Sequence, residues 1–279
     1  MSTGLPYMGS KRKLAKKIVG YIKSQHPTAE YFIDLFGGGG AISYEAQKQG
    51  FKVVCNDKNK AIIALHKKIQ GGLPDSIYDW VSREQFLKNR DRQDWYGGFL
   101  QSIWTFGNNG KDYLYGRKVE PIKHQLHKII VECSVGTLQN FSYIGEDTMW
   151  EIAKCFQIND LHSRRKVILK ILKNCANNSQ VKYIEHLTRL NAIQGIEEIE
   201  NRNAITFISL DYKDVEIPEN SVVYLDPDEL DEWAKNCGEA CYMSEYKAPF
   251  EVVQEWQKRT TLCATANDIQ TVEKLYRCN

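Results

Sequence analysis

No stretch of the sequence is apolar for the length a bilayer demands, so a helical membrane span is not expected. No CxxC pair occurs. The eight cysteines, at 55, 133, 155, 175, 237, 241, 263 and 278, are scattered, which argues against a structural zinc site. No metal is expected, and reduced thiols are the plain reading. Cys237 and Cys241 would share a face only if they stood on one helix. No Gly-Lys-Ser/Thr follows the chain's glycine-rich turn, which excludes a phosphate-binding P-loop. The opening residues lack the apolar core and small-residue cleavage site of a secretory leader, so a cytoplasmic protein is the expectation. A large charge of one sign is missing too: the net charge of the 279 residues is +2.

The charge is unevenly spread. Residues 161–190 carry seven Lys or Arg (Arg164, Arg165, Lys166, Lys170, Lys173, Lys182, Arg189) against Glu185 alone. Residues 83–128 carry nine against five acidic residues. A basic middle attracts polyanions even in a near-neutral chain, although solvated helix faces give the same pattern.

Residues 31–36 (YFIDLF) form a short apolar run that ends in four glycines, a buried strand before a tight turn. Residues 40–49 read as a helix closed by Gly50, 52–55 as a second strand, and 59–69 as a second helix. This alternation means βαβ units and a parallel sheet. From 73 to 195 the pattern is helical, aromatic and basic, with amphipathic segments at 163–174 and 181–194. Strand signals return at 204–208, 221–225, 240–243 and 261–265, with helices expected at 229–236 and 250–258 and a strand running into a helix at Asn267-Asp268-Ile269. The expected organisation is an α/β catalytic domain from 1–72 and 196–279, interrupted by a helical domain at 73–195.

Three features carry chemistry. The turn Asp34-Leu35-Phe36-Gly37-Gly38-Gly39-Gly40 lets a ligand approach the main chain, ahead of a helix with free N–H groups. Asp57, 20 residues after Gly37, ends the second strand, where an acid accepts hydrogen bonds from ribose hydroxyls; a helix N-cap is the plainer alternative. Asp226-Pro227 follows VVYL at the carboxyl end of a strand, where open sheets bind ligands, although Asp-Pro also simply ends strands.

Phe36-Gly37-Gly38-Gly39, Asn56-Asp57, Asp211-Tyr212 and Asp226-Pro227, preceded by Pro6-Tyr7-Met8-Gly9-Ser10-Lys11, resemble in order the motifs of Dam-like, alpha-ordered DNA adenine-N6 methyltransferases. The resemblance covers most of residues 5–70 and 203–279. It implies a Rossmann-like sheet, S-adenosylmethionine as cofactor, and an inserted helical target-recognition domain. Tyr7 and Lys11 would lie at the methionine end of the cofactor. Asp34, Phe36 and Gly37 to Gly39 would line its amino-acid portion, Asp57 its ribose, and Asp211 with Tyr212 its adenine. Asp226 and the Pro227 carbonyl would accept hydrogen bonds from the amine of an adenine flipped out of duplex DNA.

The family's catalytic motif continues Pro-Tyr, whereas here Asp228-Glu229-Leu230 follow, with no covering loop before the next helix. An inactive homologue that binds S-adenosylmethionine or DNA is therefore one reading, and an enzyme whose loop this sequence omits is the other. The retained Asp226 favours adenine over cytosine-N4 chemistry. A methyltransferase of RNA or of a small molecule is a further alternative, the latter disfavoured by the basic aromatic insert. Within that insert, residues 104–117 combine Trp104, Phe106, Tyr113 and Tyr115 with Asn108, Asn109, Lys111 and Arg117, groups that stack on bases, read base edges or grip phosphate. A Gly-Asn turn on an aromatic core gives the same composition. Arg164 and Arg165 are expected phosphate contacts. The resemblance further implies a bacterial or phage-infected host, a link to restriction-modification, and a monomer, with a transient dimer as the alternative.

Overall fold

The computed structural model describes residues 3–175, 178–226, 231–260 and 269–279. Strands β1 (Tyr31–Asp34), β2 (Lys52–Asn56), β3 (Ile205–Ile208), β4 (Ser221–Leu225) and β5 (Ala240–Glu245) are parallel neighbours. With β6 (Glu251–Thr260) and β7 (Ile269–Arg277) they complete a seven-stranded sheet in the order β3-β2-β1-β4-β5-β7-β6, in which β7 runs antiparallel to both neighbours. The fold is a Rossmann-like α/β sheet. Alternate residues of the central strands serve opposite faces. Phe32, Val222, Tyr224 and Tyr242 pack to one side, and Ile33, Val223, Cys241 and Met243 to the other. Both faces are covered, so these strands read as unbroken apolar runs.

Helices α1 (Ala15–Gln25), α2 (Ala41–Lys48) and α3 (Lys60–Gly71) belong to the first half, and Asn59 caps α3 by accepting from the Ala61 and Ile62 N–H groups. The middle of the chain holds α4 (Arg83–Asn89), α5 (Trp95–Ile103), α6 (Glu120–Ile130), α7 (Val135–Gln139), α8 (Glu146–Lys154), α9 (Leu161–Cys175) and α10 (Glu185–Glu197). Its apolar side chains join the cluster on the Phe32 side of the sheet. The junction is tight at the α3–α5 crossing, where a Cβ on Gly98 would lie 2.1 Å from the Ala61 carbonyl oxygen. Gly98→Ala must push the two helices apart, and we expect a cost of about 1–3 kcal/mol and a Tm lower by about 3–10 °C. A variant that melts within a degree of the parent would show that this contact is not tight.

Two expectations at the C-terminal end are corrected. Residues 250–258 are not a helix but most of β6, paired with β7 from Glu251↔Arg277 to Thr260↔Ile269 with a register shift between Val252 and Gln254. Ile269 opens β7 rather than a helix. Val252, Val253 and Trp256 have helical spacing, but β6 is an edge strand with half-exposed faces, and pairing with β7 overrides that pattern. The strand expected at 261–265 lies outside the described residues. Cys237 and Cys241 do not share a helix, since Cys241 is in β5 beyond α11 (Asp231–Lys235). Among the described residues no helix is long and apolar enough to cross a membrane, and no group of His, Cys, Asp and Glu side chains could hold a metal ion.

Candidate active site

The strand order reverses between β1 and β4, so the connections that leave their carboxyl ends part to opposite sides, and the crevice between them is where open α/β sheets bind ligands. A cavity of about 460 Å³ opens there, lined by Tyr7, Met8, Gly9, Ser10, Lys11, Asp34, Phe36, Gly37, Gly38, Gly39, Ala41, Ile42, Asp57, Tyr224, Asp226, Glu245 and Tyr246. Sequence reasoning expected Tyr7, Lys11, Asp34, Phe36, Gly37, Gly38, Gly39, Asp57 and Asp226, and the fold brings all nine to the lining of this one cavity. Pro227 lies outside the described residues.

The glycine turn is held from both sides. Gly38 has φ +47°, and a Cβ there would meet the Tyr7 ring at 2.7 Å, so the close approach is made by the chain's own N-terminal segment. The Leu5 N–H donates to the Gly39 carbonyl at 2.7 Å. Beneath, buried His66 has its Nε2 3.0 Å from the Gly38 carbonyl and its Nδ1 2.9 Å from the Tyr44 hydroxyl. A carbonyl only accepts, so Nε2 carries the proton and the Tyr44 hydroxyl donates to Nδ1. Burial depresses the His66 pKa to about 4, which keeps the ring neutral.

Asp57 accepts from the Gly38 N–H and the Asn59 N–H, each at 2.8 Å, so it braces the turn while facing the cavity. The N-cap of α3 is Asn59, not Asp57. Burial raises the Asp57 carboxyl, offset by the N–H groups of Asn59 and Gly38. Asn56 ties the sheet end together through the Leu35 and Leu210 carbonyls and the Leu210 N–H.

Asp34 is fully buried. Its Oδ2 accepts from the Ser43 hydroxyl at 2.6 Å, and its Oδ1 makes no hydrogen bond. Burial pushes its pKa up to about 7, Asp226 and Asp57 push the same way, and the Ser43 hydroxyl and Phe36 N–H oppose them. Burial also holds the Tyr7 phenol up at about 12, with Asp57 adding to it, so Tyr7 stays protonated. Lys11 Nζ lies 2.8 Å from Asp226 Oδ1 and 2.9 Å from Glu273 Oε1. Burial alone would lower its pKa, but the two carboxylates more than offset that and hold it charged.

Among the lining residues Asp34, Asp57, Asp226 and Glu245 face one Lys11, which suits a cationic ligand. The volume lies within the range of about 300–1,000 Å³ common for small-molecule sites. An orphaned buried carboxylate oxygen, a protonated phenol and a glycine turn fit an amino-acid sulfonium with a ribose. Asp211 and Tyr212 stand apart from the lining: Asp211 is exposed and caps the following turn through the Lys213 N–H, and Tyr212 rests on Phe36 with ring centroids 5.9 Å apart.

The insert divides its expected contacts. Trp104, Tyr113 and Tyr115 are core residues. The Tyr113 hydroxyl donates to the Val81 carbonyl, and that of Tyr115 lies 2.8 Å from His186 Nδ1. Arg164 is buried and donates to the Ile130, Ile158 and Val131 carbonyls, so it caps the end of α6 and the turn after α8 inside the fold and is not placed to grip a phosphate. Arg165 is half-buried, with Nη1 on the Thr188 hydroxyl. Asn109 holds the loop by accepting from the Lys111 and Asp112 N–H groups, and Asn108 adopts φ +57° beside it. Phe106, 67% exposed, projects at this tip, near exposed Lys111; Arg117 is also exposed.

Residues 7–101 match the family model described as D12 class N6 adenine-specific DNA methyltransferase. The match contains the glycine turn, Tyr7, Lys11, Asp34 and Asp57, and stops before Asp226. No curated protein matches the chain.

Proposed function

We propose that this chain, whose residues 7–101 match the D12 class adenine-specific DNA methyltransferase model, binds S-adenosylmethionine in the cavity and that Asp226 receives the N6 amine of an adenine flipped out of duplex DNA. The observation that carries the reading is the meeting of the glycine turn, Asp34, Asp57 and Asp226 around one cavity at the sheet's switch point. S-adenosylmethionine supplies an electrophilic methyl group on a cationic sulfur. Asp34 would take its ammonium, and Asp57, with a lone pair left on each oxygen, its ribose hydroxyls. Asp226 would accept a hydrogen bond from the amine, raise electron density on its nitrogen and hold the proton that the nitrogen sheds.

No tyrosine follows Pro227, but Tyr246 lines the same cavity, 47% exposed, and offers an aromatic face to the extruded base. The test is methyl transfer from labelled S-adenosylmethionine to mixed-sequence duplex DNA, followed by digestion to nucleosides. Label in N6-methyladenine is expected; label in cytosine, or none, would overturn the reading.

The insert at 73–195 would be the target-recognition domain, with Asn108, Asn109, Lys111, Arg117, Arg165 and the exposed Phe106 on its DNA side. Phe106→Ala should weaken duplex binding by about tenfold, near the loss of one buried aromatic anchor, with cofactor affinity unchanged. Equal duplex affinity in titrations of variant and parent would take this loop out of the interface.

A further inference from the structure

We propose that Glu273 is a positioning residue for methyl transfer, holding Lys11 from behind so that Lys11 fixes the carboxylate of Asp226. The inference rests on the reading of Asp226 given above. Glu273 stands within β7, opposite Trp256 of β6, and its side chain is fully buried. A buried carboxylate is costly unless charge and hydrogen bonds compensate it. Here Lys11 Nζ lies at 2.9 Å and the Ser244 hydroxyl of β5 donates at 3.1 Å. Lys11 also reaches Asp226 Oδ1 at 2.8 Å. Four separate segments therefore converge: the N-terminal stretch, the end of β4, β5 and the antiparallel β7.

An ammonium has three donors on a flexible stem. Drawn by one carboxylate on each side, it has one position. Without Glu273, Lys11 is free to swing toward Asp226 and cover the oxygens that the target amine needs. The loss falls on the chemical step rather than on cofactor or DNA affinity. It also has an electrostatic sign. Among the described residues, Lys11, Asp34, Glu245 and Glu273 are charged groups near Asp226, with the Tyr224 phenol beside it. Removing the Glu273 charge and turning Lys11 wholly to Asp226 both favour the Asp226 anion.

Glu273→Gln keeps the shape and an acceptor for Ser244. We expect kcat to fall about ten- to a hundredfold, as small misplacements at a reacting centre do. The DNA KM and cofactor Kd should stay within about threefold, and the acid limb of the kcat profile should move down by about half a pH unit or more. Ser244→Ala should show a smaller change of the same kind. An unchanged kcat and acid limb, or a loss confined to KM or Kd, would overturn the proposal. A parent chain that transfers no methyl defeats the functional reading instead. Glu273 is then judged by the ¹³C-carboxyl titration of Asp226, assigned by its loss in Asp226→Asn. An unmoved midpoint in Glu273→Gln overturns the positioning role, and a downward shift supports it.

Discussion

Asp226→Ala is expected to lower single-turnover methyl transfer by about 10³-fold, the order lost when a proton acceptor or a preorganised hydrogen-bond partner leaves a reacting centre. An aromatic amine is a weak nucleophile because its lone pair is delocalised into the ring. A carboxylate that accepts one of its hydrogens localises that pair as the new C–N bond forms, and alanine offers nothing in its place. Lys11 keeps Glu273 as a partner after the substitution, so no buried cation is stranded and the fold should persist. Cofactor affinity should fall by no more than about tenfold, because Asp34, Asp57 and Glu245 remain in the wall. Asp226→Asn should lie between parent and Ala, since it retains a neutral acceptor. The measurement uses excess enzyme over duplex with labelled cofactor, beside calorimetric cofactor binding. Transfer within tenfold of the parent in Asp226→Ala would assign the amine to another group.

The central sheet was legible because its parallel strands are buried on both faces and announce themselves as YFID, KVVC and SVVYL, each closed by a polar residue or a turn. The C-terminal hairpin was not. Its edge strand is half-exposed, so its apolar residues follow no period that separates strand from helix. The glycine turn and Asp57 were legible from spacing, since they sit on one strand–turn–helix unit and the strand beside it, whereas Tyr7 and Lys11 stand in the stretch before α1 and were indicated only by the resemblance. Glu273 and Ser244 were not, because which residue of β7 meets Lys11 depends on the register of β7 against β5, where Ser244 faces Leu275. Glu245 and Tyr246 sit at the end of β5 and carry no motif that sets them apart. Arg164 did leave a signal: it shares the helical stripe of Ile168, Ile171 and Leu172, all buried, and that phase predicts an inward guanidinium. Trp104, Tyr113 and Tyr115 belong to an aromatic core that composition alone does not distinguish from a stacking surface.

Asp34 should make cofactor binding depend on pH. Its carboxyl, raised by burial to about 7, is largely protonated at pH 6 and ionised at pH 8. A cationic ligand selects the ionised form, so affinity should rise by about tenfold per pH unit below 7 and level off above it. Stability of the ligand-free chain should move the opposite way. The folded state retains a proton that the unfolded chain releases near its ordinary value of 3.8, so this group's contribution is fully present below about pH 4, is lost progressively up to about pH 7, and is flat above. The integrated loss is on the order of 4 kcal/mol, since each pKa unit corresponds to about 1.4 kcal/mol. Asp34→Asn carries no such proton and still offers Ser43 an acceptor. It should therefore lose the pH dependence of cofactor affinity, bind weakly throughout, and be more stable than the parent at pH 8 by up to that amount while nearly matching it at pH 4. Urea unfolding at pH 4 to 8 and calorimetric titration with S-adenosylmethionine at pH 5.5 to 8 read the two effects separately. A parent–variant stability gap that does not widen with pH, together with a flat affinity profile, would mean that Asp34 is ionised in the fold throughout. With a widening gap, the buried acid is a site whose cost is removed only when a cation occupies the cavity.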